Sequence, residues 1–322
     1  MAELSGTKTN DIWHQCLVSC LAIFTFLILI VVTFIASYSG IPDDQLNLGI
    51  FQTDSLYARD DGDLFTEFQP AAFTFYIIWP IIFLFQWAWM IYVLTSLCRR
   101  NQYGPVFVSP PVVSPFVLWV YCVAIVMVTT WLFLFDQRLL VGAFVVLAIS
   151  TFLFLLTLIS LHRSVDNFGM ELQQCHKRDL WAIRILIQNG IMLFFTWITV
   201  ATHLALGSVM SYVGSVPQDI TSTILLAMLG TIMLVYFFLE NFIWERYLRY
   251  TYTFWTTVVW ALLGIFVENW GLSRNAMITL FLLLIAGILG LIKLALSIMR
   301  TRSNPLYVQH VESNESTGSE KS

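Results

Sequence analysis

The stretch FQPAAFTFYIIWPIIFLFQWAWMIYVLTSLCRR, Phe68 to Arg100, decides the fold class. From Ala71 to Cys98 it is apolar for long enough to cross a bilayer, since about 20 helical residues cover the hydrocarbon core. Pro70 precedes the run and the pair Arg99 and Arg100 closes it, while Trp79, Pro80, Gln86, Trp87 and Trp89 lie inside it. A lipid-facing anchor has no use for a mid-span amide, because a polar group without a partner in hydrocarbon is costly. Gln86 therefore points inward, and the span reads as one wall of a helical bundle.

The rest of the chain repeats the pattern. Hydrophobic residues make up 58% of the sequence and charged residues 11%, far from the roughly one quarter charged of a soluble domain. Eight segments are long and apolar enough to span: Trp13 to Tyr38, Ala71 to Cys98, Val112 to Phe135, Leu139 to Leu161, Leu180 to Tyr212, Ile220 to Asn241, Tyr250 to Val267 and Asn275 to Met299. The seventh is the shortest and most polar at its start. The fold class is all-α, a polytopic bundle over residues 13–299, with residues 1–12 as a cytosolic N-terminus and 300–322, polar and rich in Ser and Glu, expected to be a disordered cytosolic tail. With eight spans and a cytosolic N-terminus, thirteen of the sixteen Lys and Arg residues fall on or near the inner side. Only Arg59, Arg138 and Arg274 fall outside, so the positive-inside rule places both termini in the cytosol. The apolar stretch Leu17 to Ile35 exceeds the length of a signal-peptide core, so the first span reads as an uncleaved anchor.

The sizeable outer connection, residues 39–69, carries Asp43, Asp44, Asp54, Asp60, Asp61, Asp63 and Glu67. It lacks the complete calcium-loop pattern, and no metal site is expected there. None of the five cysteines falls in an external loop, so no disulfide framework is implied. With the acids gathered in this loop and the tail, no basic patch suits nucleic acid. The tail contains Asn304-Pro305-Leu306-Tyr307, which resembles the NPxY sorting signal read by cytosolic adaptors.

Polar residues inside the spans are the candidates for chemistry, because such groups face the bundle interior or a wet cavity. In the fifth span Arg184 and Gln188 are four apart and share a helical face, while Asn189, Thr196 and His203, spaced by seven, share a neighbouring one. Glu240 and Asn241 close the sixth span at the depth expected of Arg184, which suggests an Arg184–Glu240 ion pair. This network either glues two helices or forms a ligand or ion site. Trp79, Trp131 and Trp197 lie within the hydrocarbon region, where they either fill a core or line a cavity for a flat apolar ligand.

Phe68, Pro70, Phe73-Thr74-Phe75 and Trp79 resemble the signature that opens a span in the tryptophan-rich sensory protein, or translocator protein (TspO-like), family. Trp131 with its aromatic neighbours, and Phe195-Thr196-Trp197-Ile198-Thr199-Val200-Ala201, are similar to two further regions of that family. RILIQNG, Glu240-Asn241-Phe242 and the Arg246-Tyr247 and Arg249-Tyr250 pairs resemble an animal group of long tryptophan-rich membrane proteins. The sequence departs from the translocator pattern in its extra spans and in Pro80, where a glycine is usual. The resemblance implies a helical bundle that binds tetrapyrroles or sterols.

The residues expected to line a ligand cavity are Trp79, Gln86, Trp131, Gln188, Asn189 and Trp197, with Gln86 orienting the ligand. The leading expectation is a membrane protein that binds, senses or carries a small hydrophobic or aromatic molecule. A transporter or ion pathway built on Arg184 and Glu240 is the alternative, and a seven-span receptor the third. No nucleophile, metal-ligand or phosphate-loop motif supports catalysis.

Overall fold

The computed structural model describes residues 2–38, 67–101, 104–106 and 110–307. The acidic connection lies outside them apart from residues 67–69, as does the tail beyond Tyr307. The helices are α1 (Ala2–Tyr38), α2 (Ala72–Cys98), α3 (Pro115–Asp136), α4 (Leu140–Asn167), the short α5 (Gly169–Cys175), α6 (Lys177–Val213), α7 (Gln218–Ile243), the single turn α8 (Glu245–Leu248), α9 (Thr253–Glu268) and α10 (Arg274–Ser303). A two-residue antiparallel pair, Arg100–Asn101 with Gly104–Pro105, follows α2.

Seven of the described helices are long and apolar enough to cross a membrane, and α9 is a shorter apolar one. At 16 residues α9 measures about 24 Å, less than the roughly 30 Å of a hydrocarbon core. The bundle thus has the eight apolar segments expected, with the seventh too short to span by itself. Local chemistry fixes several ends. Ser114 accepts from the Val117 N–H ahead of Pro115 at the first helical position, and Ser273 accepts from the Ala276 N–H, both standard N-terminal caps. Arg138 and Ser215 take left-handed backbone angles in the tight turns after α3 and α6.

Large apolar side chains such as Leu84, Phe152, Leu234 and Leu291 remain exposed on the spans, as the lipid-facing surface of a helical bundle requires. Trp13, Trp119, Trp244 and Trp270 are exposed near span ends, as an interfacial belt requires. Helix α6 forms the centre: 67% of its most apolar stretch is buried, against 17% in α10. It packs on α2, α4, α7 and α9, while α10 packs on α7 and α9. Close backbone approach locks α9 to the opening stretch. The Ala71 N–H donates to the Gly264 carbonyl (3.0 Å), Trp260 Nε1 donates to the Thr74 carbonyl (3.2 Å), and a Cβ at Gly264 would overlap the Thr74 side chain.

Candidate functional site

The opening stretch closes on itself. Gln86 is fully buried, and its Oε1 accepts from Trp89 Nε1 (2.7 Å) and the Tyr121 hydroxyl (3.1 Å) while its Nε2 donates to the Gly190 carbonyl (2.9 Å). An amide bound in this way stitches α2 to α3 and α6 and has no free acceptor to offer a ligand. Trp79 packs on Phe83 and edge-on to Phe194, and Trp197 meets Phe75 at 5.4 Å in an edge-to-face pair. Trp131 lies against Phe135, with its indole N–H buried and without a partner among the described residues. Trp79, Gln86 and Trp197, expected to surround a ligand, are thus each buried among neighbouring rings and polar groups of α2, α3 and α6. His203 bonds through Nδ1 to the Thr199 carbonyl of its own helix (2.7 Å).

The expected Arg184–Glu240 pair is corrected. Glu240, fully buried, faces Lys293 of α10 at 3.3 Å and accepts from Trp255 Nε1 of α9 at 2.6 Å. Lys293 also donates to the Leu248 carbonyl (3.1 Å). The sequence argument matched depths along adjacent helices, but Glu240 is engaged by Trp255 of α9 and Lys293 of α10, whereas Arg184 meets Trp181 and Tyr250. Lys293 was legible as the lone cation within an apolar run. The pair is imperfectly satisfied among the described residues: Glu240 Oε2 makes no directed hydrogen bond, and Asn241 Oδ1 and the Tyr236 hydroxyl have no partner.

Arg184 lies elsewhere, in a cavity of about 480 Å³ formed by α2, α6, α10 and the segment leading into α9. It is only 5% exposed. Among the described residues it has no carboxylate partner. Its guanidinium stands over Tyr250 at 4.1 Å and Trp181 at 5.2 Å from the ring centroids, contacts that offset part of the cost of burial. Phe85, Tyr252, Ser297, Thr301 and Arg302 complete the wall.

Local helix geometry assembles this site. Residues Ile183–Gln188 form a π-helical turn, in which residues five apart, rather than four, come together. Asn189 Nδ2 consequently donates to the Arg184 carbonyl (2.8 Å) and also to the Tyr250 carbonyl (2.9 Å). Its Oδ1 accepts from the Tyr252 and Thr253 N–H groups. Asn189 thereby holds the chain entering α9 and places Tyr250 against Arg184. The expected site residue Asn189 lines the cavity with Arg184, whereas Gln188 is buried beside it without being part of the wall. Another π turn, Leu239–Ile243, carries Glu240 and Asn241.

Other arginines at the basic end of the bundle are in ion pairs. Arg99 pairs with Asp179 (2.6 Å), Arg249 with Glu245 (2.6 Å), and Arg246 with Asp166 (2.5 Å). The hydrogen bond to Asp166 holds the Arg246 guanidinium above its ordinary pKa. Against these satisfied neighbours, Arg184 and Arg302 line a cavity whose wall contains no acidic residue.

A family model described as TSPO-like protein matches residues 19–295. No curated protein and no solved structure matches the chain.

Proposed function

The chain belongs to the TSPO-like protein family, and from that membership we propose that it binds a small amphipathic molecule, a flat apolar body bearing an acidic group, in the Arg184 cavity. The observation that carries this reading is the wall itself, with two arginines, aromatic surfaces from four residues and no carboxylate. A cavity of this volume is in the range of ligand sites. A buried guanidinium without an anionic partner favours an anion that brings its own apolar surroundings. The aromatic rings would stack on the flat body while Arg184 holds the acid, as expected of a tetrapyrrole-like ligand more than of an uncharged sterol.

The test is binding of a dicarboxylic porphyrin, its dimethyl ester and cholesterol to the purified protein in detergent. The free acid is expected to bind at least tenfold more tightly than the ester, and Arg184→Gln to remove that difference. Equal binding of acid and ester overturns the role of Arg184, and binding of cholesterol alone favours an uncharged ligand.

A second reading, an ion pathway, has its own observation in the buried Glu240–Lys293 pair and the unpartnered Tyr236 and Asn241 atoms beside it. Proton or cation flux in proteoliposomes of the parent protein, lost in the paired Glu240→Leu, Lys293→Met variant that keeps the fold, would support it; the absence of flux in the parent protein would rule against it.

A further inference from the structure

The last described turn of the chain returns to the basic end of the bundle. As α10 ends, the Asn304 carbonyl accepts from Arg249 Nη1 (2.7 Å). Three residues later the Tyr307 hydroxyl donates to Asp166 Oδ1 (3.1 Å), the same oxygen that accepts from Arg246. The phenol ring fits against Gly169, where a Cβ would overlap it. Arg184 and Arg246 stand 5.8 and 6.0 Å from its centroid. Tyr307 holds a left-handed backbone angle, φ 64°, which a bulky residue adopts at a cost and keeps only where its surroundings enforce it. Arg184 is thus shared between the cavity and the tail, and Thr301 and Arg302, one turn upstream, line the same cavity.

We infer that the Asn304–Tyr307 turn is a detachable latch on the Arg184 cavity, exchanging between this docked position and a peptide-binding partner that reads an Asn-Pro-x-Tyr turn. The inference rests on the cavity being the ligand site. In the docked position Tyr307 covers one side of Arg184, and its hydroxyl is engaged by Asp166, so a partner that grips the tyrosine must first pull it from the Gly169 slot. An anionic ligand on Arg184 and the docked ring draw on the same guanidinium. Each therefore weakens the other, because coupling between two binding events is reciprocal.

Gly169→Ala tests the latch without altering the tail, since the added methyl expels the ring. Chymotrypsin cleavage after Tyr307 in the full-length protein, read by mass spectrometry of the released peptide, reports docking. Titration with a dicarboxylic porphyrin reports the cavity. Cleavage is expected to accelerate at least tenfold in Gly169→Ala, and porphyrin affinity to rise threefold or more. Saturating porphyrin should also speed cleavage of the parent chain but not of Arg184→Gln. Tyr307→Ala, which leaves Gly169 untouched, should raise affinity to the same extent and keeps the test valid if the glycine variant misfolds. Equal cleavage of parent and Gly169→Ala means that the turn is not docked and overturns the latch. Faster cleavage of Gly169→Ala, with porphyrin affinity unchanged in it and in Tyr307→Ala, overturns its coupling to the cavity while leaving the ligand site standing. A parent chain that protects its tail but binds no porphyrin in any form overturns the ligand site and, with it, the latch.

Discussion

Around Gln86 the polar groups of α2, α3 and α6 satisfy one another, and the rings of Trp79, Phe83, Phe194, Phe75 and Trp197 pack edge to face. Around Arg184 and Glu240, at the basic end, the same kinds of residue are arranged differently. Among the described residues, one arginine has no carboxylate, one carboxylate oxygen lacks a directed bond, and a tyrosine and an asparagine have unpaired buried atoms. Both π turns that carry these groups lie at this end. The tryptophan-rich stretch most visible in the sequence builds the scaffold, and the less conspicuous polar turns carry the candidate chemistry. A polar group in a bilayer core must be satisfied, so a closed network signals structure and an open one signals a place where something else can bind.

The largest test of that contrast is the Glu240–Lys293 pair. Lys293→Met leaves a buried carboxylate without its cation and should destabilise the protein by about 3–5 kcal/mol, whereas Glu240→Leu combined with Lys293→Met should recover much of the loss. Thermal unfolding across the four forms gives the coupling directly; strictly additive losses would mean that the pair is not a unit. Next comes Gln86→Leu, which strips the acceptor from Trp89 and Tyr121 and should cost about 1–3 kcal/mol. Porphyrin affinity should be unchanged in the folded fraction. A specific loss of binding there would restore Gln86 to a ligand site and erase the distinction between the two regions.

The smallest effect concerns pH. Burial, then the neighbouring Asp166 carboxylate, push the Tyr307 hydroxyl up to about 12, from the ordinary value near 10. Its docking is therefore fully supported below about pH 10 and weakens as the pH rises through about 12, because the released phenol loses its proton more readily than the docked one. A difference ultraviolet titration of the parent against Tyr307→Phe should show one phenol ionising late, and Gly169→Ala should return it to the ordinary range.

What the sequence determined was everything that depends on local length and composition. Apolar runs of about 20 residues fix a bundle of membrane helices, the end-of-span tryptophans fall where an interfacial belt requires them, and inward-facing Gln86 follows from the cost of an unpaired amide. Ser114 and Ser273 mark helix starts by cap chemistry that acts within one turn. The identities of Asn189 and Arg184 as interior polar residues were equally legible. Their partners were not. A helical-wheel argument assumes 3.6 residues per turn, and a π turn shifts the phase by about one residue, or about 100°, so Arg184 aligned with Asn189 instead of Gln188. Depth matching placed Glu240 level with Arg184, but which helix stands beside which is a property of the packed bundle. Only the tertiary structure gave Glu240 to Lys293 and brought Tyr307 back across the chain to Gly169, because those contacts join residues far apart in sequence through surfaces that no local pattern encodes.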